Sequence, residues 1–457
     1  MESVTPTQFG PSPNINLNVR GLKTSATLAI NERSAELKAQ GRQVFRLGLG
    51  QSPFPVPEPV VQALRENAHQ KDYLPVKGLP ALREAVAGYH GRKQGLQRSA
   101  DDVLIGPGSK ELMFLIQLVY YGDLVIPTPS WVSYAPQAQI IGHQVRWVRT
   151  DSSNNWLLQP EDLQEICEDD PDRPRLLILN YPNNPTGHSY PVEHLEALAK
   201  VARKYRVVLL SDEIYGEIHH HGAHTSIAEF YPEGTIISSG LSKWCGAGGW
   251  RLGTFTFPAS LRWLQNAMSV VASETFTSTS APIQYAAVRA FQGGPEIEHY
   301  LTQCRRILRA LGSFCTEKLL AAGIKVRKPD GGFYLMPSFT PFKDALEARG
   351  ISTNTKLCEA LLQETGVATL PGASFGRPDY KMSMRLAYVD FDGEVALQAI
   401  EAEPAEAELS EAFLREQCSN TTTAIDRMCD WAASFAEVYA NVRSVILEGS
   451  TLHLLQA

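Results

Sequence analysis

The chain has no apolar run long enough to cross a membrane. Its best stretch, Leu112 to Ile126, is broken by Gln117, Gly122 and Asp123. Cysteine is scarce, seven in 457 residues, and the set is odd and contains no CxxC pair. That excludes a disulfide framework and fits a reducing compartment. Basic charge is short too: 42 Lys and Arg against 49 Asp and Glu leave a formal net charge of −7. A nucleic-acid or membrane partner would call for a basic face, so neither is expected. The N-terminal MESVTPTQFGPSPNIN has no basic residue before Arg20 and no apolar core, unlike a secretory signal. Internal repeats and low-complexity tracts are absent. The expectation is a cytoplasmic globular protein of two or three domains, at roughly 150 residues each.

What is present is alternation. After a Pro-, Ser- and Asn-rich arm to about Asn16, a helical pattern covers Ala26 to Gln40 and a short strand is expected over Val44 to Leu49. Between residues 56 and 300, helical periods separate five short apolar runs. These are Val103–Ile105, Leu124–Ile126, Leu176–Leu179, Val207–Leu210 and Thr235–Ile237. Continuous apolar runs between helices predict parallel strands covered on both faces. From residue 301 the pattern changes to a long helix (Tyr300 to Ala322), strand-like text at Phe333–Leu335 and Met382–Val389, and more helices. The acidic stretch Glu401 to Glu411 reads as a solvated helix face or linker, and Thr421 to Leu447 as a helix. The predicted architecture is α/β: a large domain (56–300) with a mostly parallel sheet, and a smaller α+β domain (301–457, with 1–55 as arm and contributor).

In open α/β sheets ligands bind beyond the carboxyl ends of the strands, so the residues after each run matter most. The first run is followed by Gly106-Pro107-Gly108-Ser109-Lys110 and a helix. Free N–H groups there suit a phosphate, although a plain strand-to-helix turn would look the same. The second leads to Pro127-Thr128-Pro129-Ser130-Trp131, placing a Trp that is either rim packing or a plate for a planar ligand. The third leads to Asn180-Tyr181-Pro182-Asn183-Asn184-Pro185-Thr186-Gly187, a rigid turn that aims the Asn184 amide. The fourth ends in Ser211-Asp212-Glu213-Ile214-Tyr215. A carboxylate closing a buried strand needs a cationic or donor partner, in a structural ion pair or on a ligand. The fifth ends in Ser238-Ser239-Gly240-Leu241-Ser242-Lys243, an amine among hydroxyls and small residues. A phosphate nest, an aromatic plate, an amide, an acid and a lysine at one edge describe a planar, phosphorylated ligand, cationic at one end, with an aldehyde for the amine. Pyridoxal phosphate has that chemistry.

These segments resemble the class I/II, fold-type I aminotransferases of the aspartate aminotransferase superfamily. The resemblance rests on NYPNNPTG (180–187), SDEIYGEI (211–218), SGLSKWCGAGGWRLG (239–253) and SMRLAY (383–388). YLPVKGLPALREAV (73–86), VLIGPGSKELMF (103–114), PTPSWVSY (127–134) and LPGASFG (370–376) extend it over roughly residues 20 to 400. It implies that Lys243 condenses with the cofactor aldehyde and later shuttles a proton. Asp212 would pair with the pyridine N–H, keeping the ring an electron acceptor. Tyr215 and Asn184 would donate to the ring oxygen, and Trp131 would stack on the ring. Arg251 would bind the phosphate with Ser109, Lys110, Ser239 and Ser242 in the same nest. Arg385 would clamp the substrate carboxylate through its planar fork, and Gly50 would lie against the substrate. Tyr73 would reach the phosphate of a neighbouring subunit, which implies a homodimer. Where some members carry a serine three residues before the lysine, this chain has Gly240, with Ser239 before it.

The implied activity is exchange of an amino group between an L-amino acid and a 2-oxo acid by a ping-pong cycle, with a dicarboxylate such as aspartate or glutamate/2-oxoglutarate as co-substrate. Lys110 would meet either phosphate through its backbone or a distal substrate carboxylate through its side chain. A β-eliminating lyase or a cyclopropane-carboxylate synthase would use the same cofactor. A ligand-sensing regulator is disfavoured by the acidic charge and the 45 or so residues before the match. His219-His220-His221 with His224 read as a solvated loop, and no metal is expected. Cys304/Cys315 and Cys418/Cys429 read as pairs each on one helix face, and Cys245 as non-catalytic.

Overall fold

The computed structural model describes residues 14–22 and 26–435. Among these residues, ten strands form two sheets. The larger is built from β1 (Val103–Gly106), β2 (Asp123–Thr128), β3 (Val145–Arg149), β4 (Arg175–Asn180), β5 (Val208–Asp212), β6 (Thr235–Gly240) and β7 (Gly253–Thr256). Their spatial order is β1-β7-β6-β5-β4-β2-β3. Pairings β2–β3, β2–β4, β4–β5 and β5–β6 are parallel. β7 alone runs backwards, antiparallel to β1 on one side and β6 on the other. All five expected strands therefore point the same way, and their carboxyl ends lie along one edge.

Every residue of β4, β5 and β6 is buried, as strands covered by helices on both faces must be. The two strands that the apolar-run criterion passed over have physical reasons to escape it. β3 is an edge strand with Trp147 44 % exposed. β7 reads Gly-Thr-Phe-Thr and buries two threonines, not an aliphatic run. The smaller sheet, β8 (Tyr334–Leu335), β9 (Leu370–Pro371) and β10 (Met384–Ala387), is antiparallel with β10 in the centre.

Val44 to Leu49 is not a strand: it makes one bridge, Phe45 to Val367, and continues as coil. The long helix runs Pro295–Ala321, with Cys304 and Cys315 both buried on it. Cys418 and Cys429 do not share a helix; Cys418 closes the helix Glu411–Gln417 and Cys429 lies in the next, 419–435. The acidic stretch after Ile400 is a linker of turns up to that first helix. Residues 436–447 of the expected last helix, the tail beyond Gly449 and the arm before residue 14 lie outside the described residues. No described helix is long and apolar enough to cross a membrane, and no cysteine among them is in a disulfide.

Candidate active site at the carboxyl edge of the sheet

The register aligns Asn180 with Asp212 and Asp212 with Ser238, so the ends of β4, β5 and β6 are side by side. Asp212 is 4 % exposed. Its Oδ2 accepts a 2.6 Å bond from Tyr134 Oη, while Oδ1 is buried and has no partner among the described residues. Burial raises its pKa to about 6, against the opposing bond from Tyr134. An orphaned carboxylate oxygen of this kind signals a missing donor.

Lys243 lies just past β6. Its Nζ donates to Gly50 O at 2.7 Å and sits 5.5 Å and 5.7 Å from the ring centres of Tyr215 and Phe333. Tyr215 Oη shares a 2.9 Å hydrogen bond with Tyr334 Oη, and burial followed by Tyr334 pushes its pKa well up. The ring of Tyr334 in turn lies 4.6 Å under the guanidinium of Arg385, with Phe375 at 5.0 Å. Arg385, central in the small sheet, is 2 % exposed. It donates to Asn184 Oδ1 (3.2 Å) and Gly48 O (2.6 Å), its Nε has no partner, and no described carboxylate pairs with it. Burial holds its pKa down. A buried guanidinium without a counter-ion is costly and marks a place prepared for an anion.

A second cationic cluster surrounds the turn after β1. Gly108 has φ +91°, and a Cβ there would stand within 2.3 Å of Arg251 Nη2. At Gly253 a Cβ would meet Ser109 N at 2.1 Å. Glycine at both positions lets the backbone close around the start of the helix Ser109–Val119, leaving its first N–H groups free. Lys110 Nζ lies 5.1 Å over the Trp131 ring; burial, then the nearby Arg251 and Lys243, lowers its pKa. Trp131 is edge-on to Tyr134 at 5.2 Å, which links this cluster back to Asp212.

Twelve of the thirteen expected residues thus form one continuous neighbourhood or flank it. Ser239 is buried in β6 and Ser242 half-buried beside Lys243, without a hydrogen bond to the others among the described residues. Gly240 is explained by space, since a Cβ would lie 2.6 Å from Leu252 O. Tyr73 stands apart, 90 % exposed.

Tyr334, Tyr134 and Phe375 belong to the site but carried no role in the sequence reading. The signal for Tyr334 is the preceding Gly331-Gly332, where a Cβ at Gly331 would strike Pro182 at 2.6 Å. The histidine cluster is only in part a solvated loop: His221 is exposed, but two of its neighbours turn inward. His220 is 3 % exposed and bonded to Gly332 O, and His224 Nε2 meets Glu213 Oε2 at 2.8 Å. Burial pushes the Glu213 pKa up, but His224 and the bonds from Ser226 and Ser211 outweigh it and hold the carboxylate ionised. These side chains turn inward because they link the end of β5 to the small sheet. No group of three metal-ligating side chains occurs among the described residues. Cys245 is fully buried, and burial raises its pKa, which leaves it inert.

A lysine beside a free carboxylate oxygen and a cationic helix-start cradle fit a phosphorylated pyridine aldehyde, so fold and site together define a pyridoxal-phosphate enzyme. The chain belongs to the family described as aminotransferase class I and II, whose model matches residues 42–401, and it is an aminotransferase. It is 36 % identical over 380 residues to the aspartate aminotransferase of Geobacillus stearothermophilus, covering 81 % of this chain and 93 % of that one. To the aspartate/prephenate aminotransferase of Thermus thermophilus it is 32 % identical over 366 residues, 79 % and 91 % of the two chains. Among solved structures, the Thermus thermophilus aspartate aminotransferase with maleate superposes with a TM-score of 0.78 at 29 % identity, covering 92 % of this chain and all of that one.

Proposed function

We propose that the enzyme moves the amino group of an L-amino acid to a 2-oxo acid in two half-reactions, with a dicarboxylate, aspartate or glutamate and its oxo acid, as one partner. One observation carries this reading. Lys243 and Arg385 hold carbonyls only two residues apart, Gly50 and Gly48, and neither has a carboxylate partner among the described residues. An α-amino acid spans such a pair, its carboxylate on Arg385 and its nitrogen near Lys243. Pyridoxal phosphate supplies the aldehyde that takes up the amino group and a ring that accepts electron density. Asp212 Oδ1 is free to hold the ring N–H, while Tyr134 fixes the other oxygen. Asn184 and Tyr215 are placed to bond the ring oxygen. Arg251 and the backbone N–H groups of Ser109 and Lys110 would hold the phosphate. Lys243 Nζ carries the proton away from the substrate Cα and returns it on the far side of the transfer.

The Lys110 side chain, exposed beyond Trp131, is the cation we assign to a distal substrate carboxylate. The relatives named for aspartate support that choice. Tyr73, projecting into solvent, supports a homodimer in which it reaches the partner's phosphate. The domain limits 56–300 and 301–457 are supported by the sheets, each lying within one range. The free cysteines support a reducing, cytoplasmic setting.

A half-reaction screen tests the reading. Holoenzyme mixed with L-aspartate or L-glutamate should lose the visible band of its bound cofactor and release the matching oxo acid. Pyruvate and ammonia from a β-substituted substrate, without such conversion, would point to elimination instead.

A further inference from the structure

The family match stops at residue 401, yet the chain continues as the helices Glu411–Gln417 and 419–435. The second helix buries Ala424, Ile425, Met428, Trp431, Ala432 and Phe435 in the main hydrophobic core. Trp431 packs on Phe339 at 5.7 Å and its Nε1 donates to Glu364 at 2.8 Å. One residue of this helix faces another way. Arg427 donates to Gln43 Oε1 (2.7 Å) and Thr365 O (3.0 Å), and its guanidinium lies 4.8 Å over the ring of Phe45. No described carboxylate pairs with it.

Its target is the segment that feeds the site. Phe45 N donates to Gly366 O, and Ala368 N donates to Phe45 O. Leu47 O accepts from Ala387 N of β10 at 2.7 Å, two residues from Arg385. The next carbonyls, Gly48 O and Gly50 O, are those held by Arg385 and Lys243. Because this stretch makes a single bridge and no strand, and carries two glycines, its path depends on lateral restraint. Asp390 holds Arg46 N at 2.8 Å, and Arg427 adds a restraint through neutral groups: the amide of Gln43, the ring face of Phe45 and the carbonyl of Thr365, the last residue of the helix Asn354–Thr365.

We propose that Arg427 is a positioning residue for substrate binding in transamination, holding segment 43–50 so that the Gly48 carbonyl keeps Arg385 aimed. This rests on the reading of Arg385 as the carboxylate clamp. The helix 419–435, beyond the residues that the family model matches, is thus tied to the site through one side chain.

Steady-state kinetics of the full-length holoenzyme test it. Arg427→Ala should raise KM for both the amino acid and the oxo acid about three- to tenfold, with kcat within about twofold. Gln43→Ala, at an exposed position that does not threaten folding, should raise KM in the same direction and add nothing to Arg427→Ala. Trp431→Phe cuts the helix's bond to Glu364 without touching segment 43–50; it should lower Tm and leave KM unchanged. If Arg427→Ala and Gln43→Ala only lower Tm, or leave KM at the wild-type value, the proposal is overturned. Arg385→Leu runs in parallel: a KM unchanged in that variant would sink the clamp reading, whereas a large rise there with none at Arg427 would sink the Arg427 proposal alone.

Discussion

Asp212 gives the sharpest physical prediction, because its burial lowers the stability of the cofactor-free protein by a calculable amount. Burial moves its pKa from the ordinary 3.8 to about 6. At 1.36 kcal/mol per pH unit, keeping that carboxylate ionised costs about 3 kcal/mol in the cofactor-free fold. The folded-state pKa is raised, so the contribution to stability is present in full below about pH 4 and is lost as pH rises through about 6. Asp212→Asn removes the charge and keeps the shape. Cofactor-free Asp212→Asn should therefore be more stable than cofactor-free wild type by about 3 kcal/mol at pH 7, shrinking to about half of that at pH 5. Denaturant titration of both proteins at matched concentration reads the difference. Adding cofactor should reverse the order, since only the carboxylate gains a charged partner on the ring nitrogen. Equal stability of the two cofactor-free proteins at both pH values would refute the argument that Asp212 is held for a cationic ligand.

Two further outcomes follow from the cradle and from the exposed tyrosine. Gly253→Ala places a methyl against backbone at Ser109, which cannot yield as a flexible side chain would; cofactor affinity should fall at least about tenfold, roughly 1.4 kcal/mol, in an absorbance titration, and unchanged affinity would contradict the close-approach argument. Tyr73→Phe should leave a dimer by sedimentation but weaken cofactor retention about three- to tenfold; a fully active monomer would contradict the shared site.

Much of this was legible in the residues. Aliphatic runs such as Leu176–Leu179 marked the strands, and their polar ends, Asn180, Asp212 and Ser238, turned out to be neighbours in register. β7 was hidden because its buried face is threonine, and β3 because an edge strand is not apolar throughout. Tyr334 was hidden for a different reason. Its importance comes from contacts with Tyr215, Arg385 and Gly50, residues far away in the chain, and no local pattern announces a meeting of that kind. His220 and His224 looked solvated because consecutive histidines carry no periodic burial signal; only the packing of the small sheet encloses them. The helix 419–435 showed helical text and the short helix Glu411–Gln417 did not stand out; what they hold could be seen only in three dimensions.

Lys243 is the side chain assigned to condense with the cofactor aldehyde at this edge of the sheet. Lys243→Ala, reconstituted with pyridoxal phosphate and mixed with L-aspartate and 2-oxoglutarate, is the most direct measurement. The variant should fold, bind cofactor through Arg251 and Asp212, lack the wild-type visible band, and form no glutamate. Transamination at the wild-type rate in that variant would contradict this role for Lys243.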